Sequence, residues 1–118
     1  MLFRSVCVHI PACCEAAHEG NVKQKVLALE AIDHYLIRAA KTFYEAEKDV
    51  RVLISPLLTT PTQLKAPVRE SVPFVIAGKN VMPDENEHLN EPLAQLSQLR
   101  FSDGWKLIDL LITGKEAN

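Results

Sequence analysis

The chain has 118 residues, 47% of them apolar and 24% charged, with a formal net charge of −2 at neutral pH. That balance describes one folded domain large enough to bury a core, and it excludes a disordered chain. No basic surplus points to nucleic acid or an anionic membrane surface, and no apolar run approaches the ~18 residues of a membrane span.

Leu2 to Ile10 is rich in Val, Ile and Phe and stops at Pro11, which predicts a strand. With one Arg and only a short apolar stretch, the same segment does not read as a signal peptide. Gly20-Asn21 then opens a long helix, with Asn21 as N-cap and Gln24 placed to complete a capping box. Val22, Val26, Leu29, Ile32, Leu36, Ala40 and Phe43 recur at three-four spacing and predict one buried face. Lys23, Lys25, Glu30, Lys41, Glu45 and Lys48 mostly fall off that face.

Val50 to Ser55 is a short apolar run ending at Pro56, the pattern of a buried strand. Strand, long helix, strand predicts a βαβ unit whose two strands run parallel with a right-handed crossover. Residues 56–71 hold three of the seven prolines and no helical period, so they predict an ordered loop. Val72 to Ala77 is a third strand, with Pro73 at its start or on an edge. Gly78-Lys79-Asn80 turns the chain, and Val81-Met82 offers a short returning strand. Pro83 to Glu91 reads as a solvated acidic loop. Ser102 or Asp103 caps a final amphipathic helix carrying Trp105, Leu107, Ile108, Leu110 and Leu111, and Gly114 stops it. The expected fold is α/β, a three-layer-like single domain over residues 1–118. It has a small mixed sheet of three or four strands, one long crossover helix and a C-terminal helix.

Cys7, Cys13 and Cys14 are odd in number. Neighbouring Cα atoms lie about 3.8 Å apart, below the usual disulfide separation of about 4.4–6.8 Å, so a Cys13–Cys14 bridge would be strained. Reduced thiols and a cytoplasmic location are expected.

Several of these stretches carry a family pattern. Val6-Cys-Val-His-Ile10 runs into Ala12-Cys-Cys-Glu-Ala-Ala-His-Glu-Gly-Asn21, and the helix continues Lys25-Val-Leu-Ala-Leu-Glu-Ala-Ile-Asp33. Ile54-Ser-Pro-Leu-Leu-Thr-Thr-Pro61, Lys65-Ala-Pro-Val-Arg-Glu-Ser-Val-Pro-Phe-Val-Ile76 and Arg100-Phe-Ser-Asp103 follow in order. Together they resemble the C-terminal third of the archaeal-type cofactor-independent phosphoglycerate mutases, in the alkaline phosphatase superfamily. The resemblance spans residues 2–113. Those enzymes have V-x-V-H-V, D-E-A-G-H-x-G-[DN], K-x-x-A-[IL]-E-x-[IL]-D, L-P-D-H-P-T-P, R-T-H-T-x-x-P-V-P-F-x-[IL] and R-F-[SN]-E.

The resemblance implies two divalent cations, such as manganese or magnesium, bridging a phosphorylated Ser and polarising its oxygens. It also implies which positions hold them. The Asp of the D-E-A-G-H motif falls on Cys14, while its His is kept as His18. The Asp-His pair falls on Leu57 and Leu58, and the His of R-T-H falls on Pro67. The nucleophilic Ser and a further metal Asp belong to an N-terminal part that these residues do not match. Leu and Pro side chains have no lone pair for a cation. The expectation is therefore a degenerate, non-catalytic relative acting as a binding or regulatory protein. It would use no cofactor and keep at most a vestigial metal position at Cys14 and His18.

The alternative is a thioredoxin-like thiol or soft-metal protein using Cys13 and Cys14, with Pro73 as a candidate cis-proline, although C-x-x-C spacing is missing. His9 is expected to be a hydrogen-bonded residue near the core, and His34 and His88 surface groups. Leu57-Leu58 are expected to fill the core where a polar cleft once was, in preference to anchoring a partner. Trp105 is read as core. A fragment of such a domain leaves sheet edges and helix faces open, so a homo-oligomer or a partner protein covering the open sheet is expected.

Overall fold

The computed structural model describes residues 5–115, so Leu2, Phe3 and Arg4 of the first expected strand lie outside the described residues. In chain order it forms α1 (Ala12–His18), α2 (Val22–Ala31), a π-helical segment (Ile32–Ile37), α3 (Arg38–Ala46), β1 (Arg51–Ile54), β2 (Val75–Gly78), α4 (Glu91–Leu96) and α5 (Trp105–Thr113). The fold is mixed α/β.

Asn21 caps the long helix as its side-chain chemistry predicts: Oδ1 accepts from the Gln24 backbone N–H at 3.0 Å. The Asn21 N–H is taken by Ala16 O instead of the Gln24 side chain, so only half of the capping box forms. That bond closes a tight corner between α1 and α2. Gly20 sits in it at φ +68°, a conformation open to glycine without penalty. Ala16 and Ala17 are buried between the two helices, where small side chains let the axes approach.

The helical run continues to Ala46 but passes through the π segment at Ile32–Ile37. A π turn takes one extra residue, which sets everything beyond it back by about 100° on a 3.6-residue wheel. The single apolar face predicted from Val22 to Phe43 is therefore broken in two. It is also not buried: Val22, Val26, Leu29, Leu36 and Phe43 remain 41–59% exposed. The periodicity was that of a buried helix, but no described element covers it.

Among the described residues the sheet has two strands, not three or four, and the pair is antiparallel. Arg51 faces Gly78, Val52 Ala77, Leu53 Ile76 and Ile54 Val75. Residues 5–10 of the first expected strand are irregular, and Val6 is 82% exposed. A strand exists only through its ladder, and this segment has no described neighbour to pair with, so the parallel βαβ pair does not form. Val81-Met82 likewise stays outside the sheet. Pro73 lies two residues before β2, clear of the ladder that it could not serve. The ring of Phe74 packs against Phe101, centroids 5.8 Å apart, tying the entry of β2 to the approach of α5.

Helix α4 was not expected; it begins at Glu91, where the acidic loop ends, in a stretch that carried no assigned element. Asn90 caps it by accepting from Leu93 N–H at 3.0 Å, and Pro92 occupies the first turn, where its missing N–H does no harm. The N-cap of α5 is Gly104 with no side-chain cap, not Ser102 or Asp103; Asp103 instead pairs with Lys106 at 3.4 Å. Gly114 does end the helix, at φ +71° with its N–H on Leu110 O at 2.8 Å. Trp105 is 64% exposed, not core; Leu110 is the buried residue of α5.

Candidate functional site

The positions that the resemblance implies as metal ligands fall on two elements, α1 and the loop between β1 and β2. Cys14 and His18 are four residues apart on α1, one above the other on the same side of the helix. Leu57, Leu58 and Pro67 lie on the loop. A bridge between Thr59 and Val68, with Val68 N–H on Thr59 O at 2.8 Å, closes that loop on itself. Leu58 and Pro67 each sit next to a bridged residue.

The closed loop is docked on the α1–α2 corner by three contacts. His18 Nδ1 lies 3.0 Å from Lys65 O. Lys25 Nζ donates to Thr60 O at 3.0 Å. Gly20 leaves room for the Lys65 stem, since a Cβ there would stand 2.5 Å from Lys65 Cε. Lys65 itself holds φ +52°, fixed by the turn in which its N–H meets Pro61 O at 3.0 Å. Thr60 is buried beneath this junction.

A carbonyl only accepts, so the contact to Lys65 requires the proton of His18 on Nδ1. In the neutral ring this leaves the Nε2 lone pair free. The same tether orients metal-binding histidines, which donate the other ring N–H to a carbonyl or carboxylate. One imidazole is thus anchored at the corner, while the loop positions expected to carry ligands hold Leu57, Leu58 and Pro67. Leu57 and Leu58 are exposed, Leu57 by 79%, so they do not fill a vacated cleft as core. Pro67 is exposed as well. Among the described residues no group of three or more His, Cys, Asp or Glu could hold a metal ion.

His9 is exposed, not near the core, because the strand expected to bury it is unpaired. His34 and His88 are surface groups as expected, with the His34 ring edge-on to Tyr35 at 4.7 Å. The three cysteines are free thiols. Cys13 and Cys14 lie inside α1, and the peptide bond before Pro73 is trans. Burial pushes the Cys13 thiol up from its ordinary value; the Lys25 ammonium pulls against this, and Cys14 adds to the rise. A redox cysteine needs the opposite direction. Alkylation of Cys13 by iodoacetamide, followed by mass spectrometry across pH, should inflect above the ~8.5 of a free cysteine. Lys25→Met removes the charge that favours the thiolate and should move the inflection higher still. An inflection below that of a free thiol would return the redox reading to favour.

Lys25 and Lys65 were missed as parts of this corner. Spacing put Lys25 among solvated side chains. The only signal was its place at the head of the Lys25–Asp33 motif.

Comparison with known proteins follows the same residues. The family model described as the metalloenzyme superfamily matches residues 2–103. A 2,3-bisphosphoglycerate-independent phosphoglycerate mutase of Methanothrix thermoacetophila is 36% identical over 110 residues, covering 92% of this chain and 28% of that protein. The mutase of Metallosphaera sedula is 32% identical over 108 residues, covering 91% of this chain and 25% of that protein. The mutase of Methanosarcina acetivorans is 28% identical over 109 residues, with 91% and 28% covered. The chain therefore spans about a quarter of the length of the curated relatives it matches. No solved structure gives a significant match. Among the described residues no helix is long and apolar enough to cross a membrane. With six sevenths of its residues under one family model, the chain belongs to the metalloenzyme superfamily.

Proposed function

We propose that this chain is a non-catalytic member of its superfamily, acting as a binding or regulatory protein, and that its residues carry out no phosphoglycerate mutase chemistry. One observation carries the reading. Leu57, Leu58 and Pro67 stand where the resembled enzymes place metal ligands, and none of the three side chains has a lone pair. Phosphoryl transfer between two cations needs both sets of donors, because the metals neutralise the charge on the transferring group and lower the nucleophile's pKa. His18 on its tether and the thiol of Cys14 give two donors of the wrong number and hardness for manganese or magnesium, which prefer oxygen. The argument is unaffected by any further residues that flank these 118, since an added segment does not restore donors at positions 57, 58 and 67.

The scaffold supports a role in binding. The loop closure at Thr59–Val68, the His18–Lys65 tether and the Lys25–Thr60 bond all hold a geometry with no reaction left to serve. Free thiols at Cys7, Cys13 and Cys14 support a reducing compartment, the cytoplasm.

The test is turnover. Purified protein with manganese or magnesium should show no conversion of 3-phosphoglycerate or hydrolysis of a phosphomonoester above a metal-containing buffer. Metal-dependent turnover that co-elutes with the protein, and is lost in His18→Ala, would sink the reading.

A further inference from the structure

Helix α1 presents a thiol and an imidazole together. Cys14 and His18 stand at i and i+4, both exposed, on one side of the helix. Side chains at that spacing have Cβ atoms about 5–6 Å apart. One cation between them can reach a sulfur at about 2.3 Å and an imidazole nitrogen at about 2.0–2.1 Å. The two histidines of helical zinc sites use the same i, i+4 spacing on one face.

The imidazole of this pair is already oriented. His18 Nδ1 donates to Lys65 O at 3.0 Å, which turns the Nε2 lone pair of the neutral ring into its free donor. The carbonyl is itself held. Lys65 sits at φ +52° with its N–H on Pro61 O at 3.0 Å, inside the loop closed by Thr59 and Val68. Histidines that hold metals are fixed through their other nitrogen in this way, and the outer partner is worth about 10–100-fold in affinity.

The donors select the cation. Thiolate and imidazole suit zinc and copper(I), whereas manganese and magnesium take oxygen. Glu15 and Glu19, exposed on the same helix, add negative charge. Among the described residues no third His, Cys, Asp or Glu groups with the pair. Cys13 is not the sulfur in question, because it lies about 100° round the helix from Cys14 and is partly buried.

We propose that Cys14 and His18 form a two-donor site for a thiophilic cation, zinc or copper(I), at the corner where the loop docks. On binding, the thiol proton of Cys14 leaves to solvent and a metal–sulfur bond takes its place. Nε2 of His18 gives the second bond, water fills the remaining positions, and nothing is oxidised or reduced. The site differs from the one the resemblance implies: it selects soft cations through sulfur and needs no donor at positions 57, 58 or 67. It gives the proposed binding role a ligand, and so rests on that reading.

The experiment titrates the reduced full chain under argon with zinc(II), with copper(I) supplied as its bicinchoninate complex, and with manganese(II). Zinc or copper(I) should bind one to one and manganese should not; the tighter of the two arms identifies the cation. One equivalent should slow iodoacetamide alkylation of Cys14 by at least about 10-fold, because a metal-bound sulfur is no longer a free nucleophile, and leave Cys7 unchanged. Cys14→Ser and His18→Ala should each weaken binding by more than the roughly 100-fold upper range for losing an outer partner. Cys13→Ser should change neither affinity nor stoichiometry. Lys65→Pro forbids the positive φ and removes the N–H that holds the carbonyl, so affinity should fall by about 10–100-fold with both donors still present. Binding that survives His18→Ala, follows Cys7 or Cys13, or is as tight for manganese overturns the inference. So does a failure of both soft cations to bind, or an unchanged affinity in Lys65→Pro. Turnover of 3-phosphoglycerate by the zinc- or copper-loaded chain would instead remove the non-catalytic reading and leave the site standing, so the two fail separately.

Discussion

Gly78→Ala is expected to destabilise the β1–β2 pair by about 3 kcal/mol, the sum of a forbidden backbone conformation and a clash with backbone that cannot move aside. Gly78 closes β2 at φ +130°, a region that L side chains rarely adopt. A Cβ there would stand 2.2 Å from Val50 O and 2.7 Å from Arg51 Cα. Arg51 opens the partner strand and Val50 immediately precedes it, at the register position where Arg51 faces Gly78. The following residue depends on the same geometry. Lys79 N–H bonds Val50 O at 3.1 Å, and its ammonium meets Asp49 at 2.7 Å. Relief therefore requires either a register slip, which would turn Val52 and Ile54 to the opposite face, or loss of the last pair. Exchange at Arg51–Ile54 and Val75–Gly78 should accelerate by on the order of 100-fold. Unchanged protection there would mean that the turn accepts a side chain and that the close approach is not a constraint.

Local chemistry was legible in the sequence; what depends on neighbours distant along the chain was not. Asn21 with Gln24, the Val50–Ser55 run and the Gly114 stop are determined within a few residues, and each stands close to where its side-chain chemistry puts it. The Val72–Ala77 strand is displaced by its own proline, beginning only at Val75. Residues 6–10 and the stripe at Val22, Val26 and Leu29 carry strand and helix patterns of buried segments, yet Val6, Val8 and the stripe stay largely exposed. The π segment was hidden because an extra residue in a turn leaves no compositional mark. Helix α4 was hidden because Pro92 reads as a breaker unless Asn90 is recognised as the cap two residues earlier. At the candidate site, the ligand positions are what the family resemblance implies, carried by motifs that follow one another in order along the chain. The exposure of Leu57 and Leu58 could not, since an apolar pair after a strand reads equally as core or as surface.

Arg51→Met should loosen α5 and lower stability by about 2 kcal/mol, the scale for losing hydrogen bonds that a partly exposed charged group makes to carbonyls. Arg51 lies on β1, but its guanidinium crosses to the end of α5. Nε donates to Leu111 O at 2.6 Å, one terminal nitrogen to Ile112 O, and the other to Lys79 O at 2.9 Å. The last carbonyls of a helix have no partner within it and carry its negative end, so a forked cation there satisfies acceptors and complements the dipole together. Gly114 is shaped to the same purpose, because a Cβ on it would stand 2.9 Å from the guanidinium. One side chain thus joins β1, the turn after β2 and α5, around the buried Leu110. Met keeps much of the apolar stem and removes the donors, which separates the carbonyl contacts from packing. Lys should recover only part of the loss, since a single ammonium cannot reach three carbonyls in a planar fork. Trp105, the chain's one tryptophan, is the first residue of α5, so its fluorescence reports this helix directly during urea unfolding. The expected order of midpoints is wild type, Arg51→Lys, Arg51→Met. Equal midpoints for Lys and wild type would reduce the clamp to a point charge at a helix end, and equal midpoints for all three would make it a surface contact that the fold does not need.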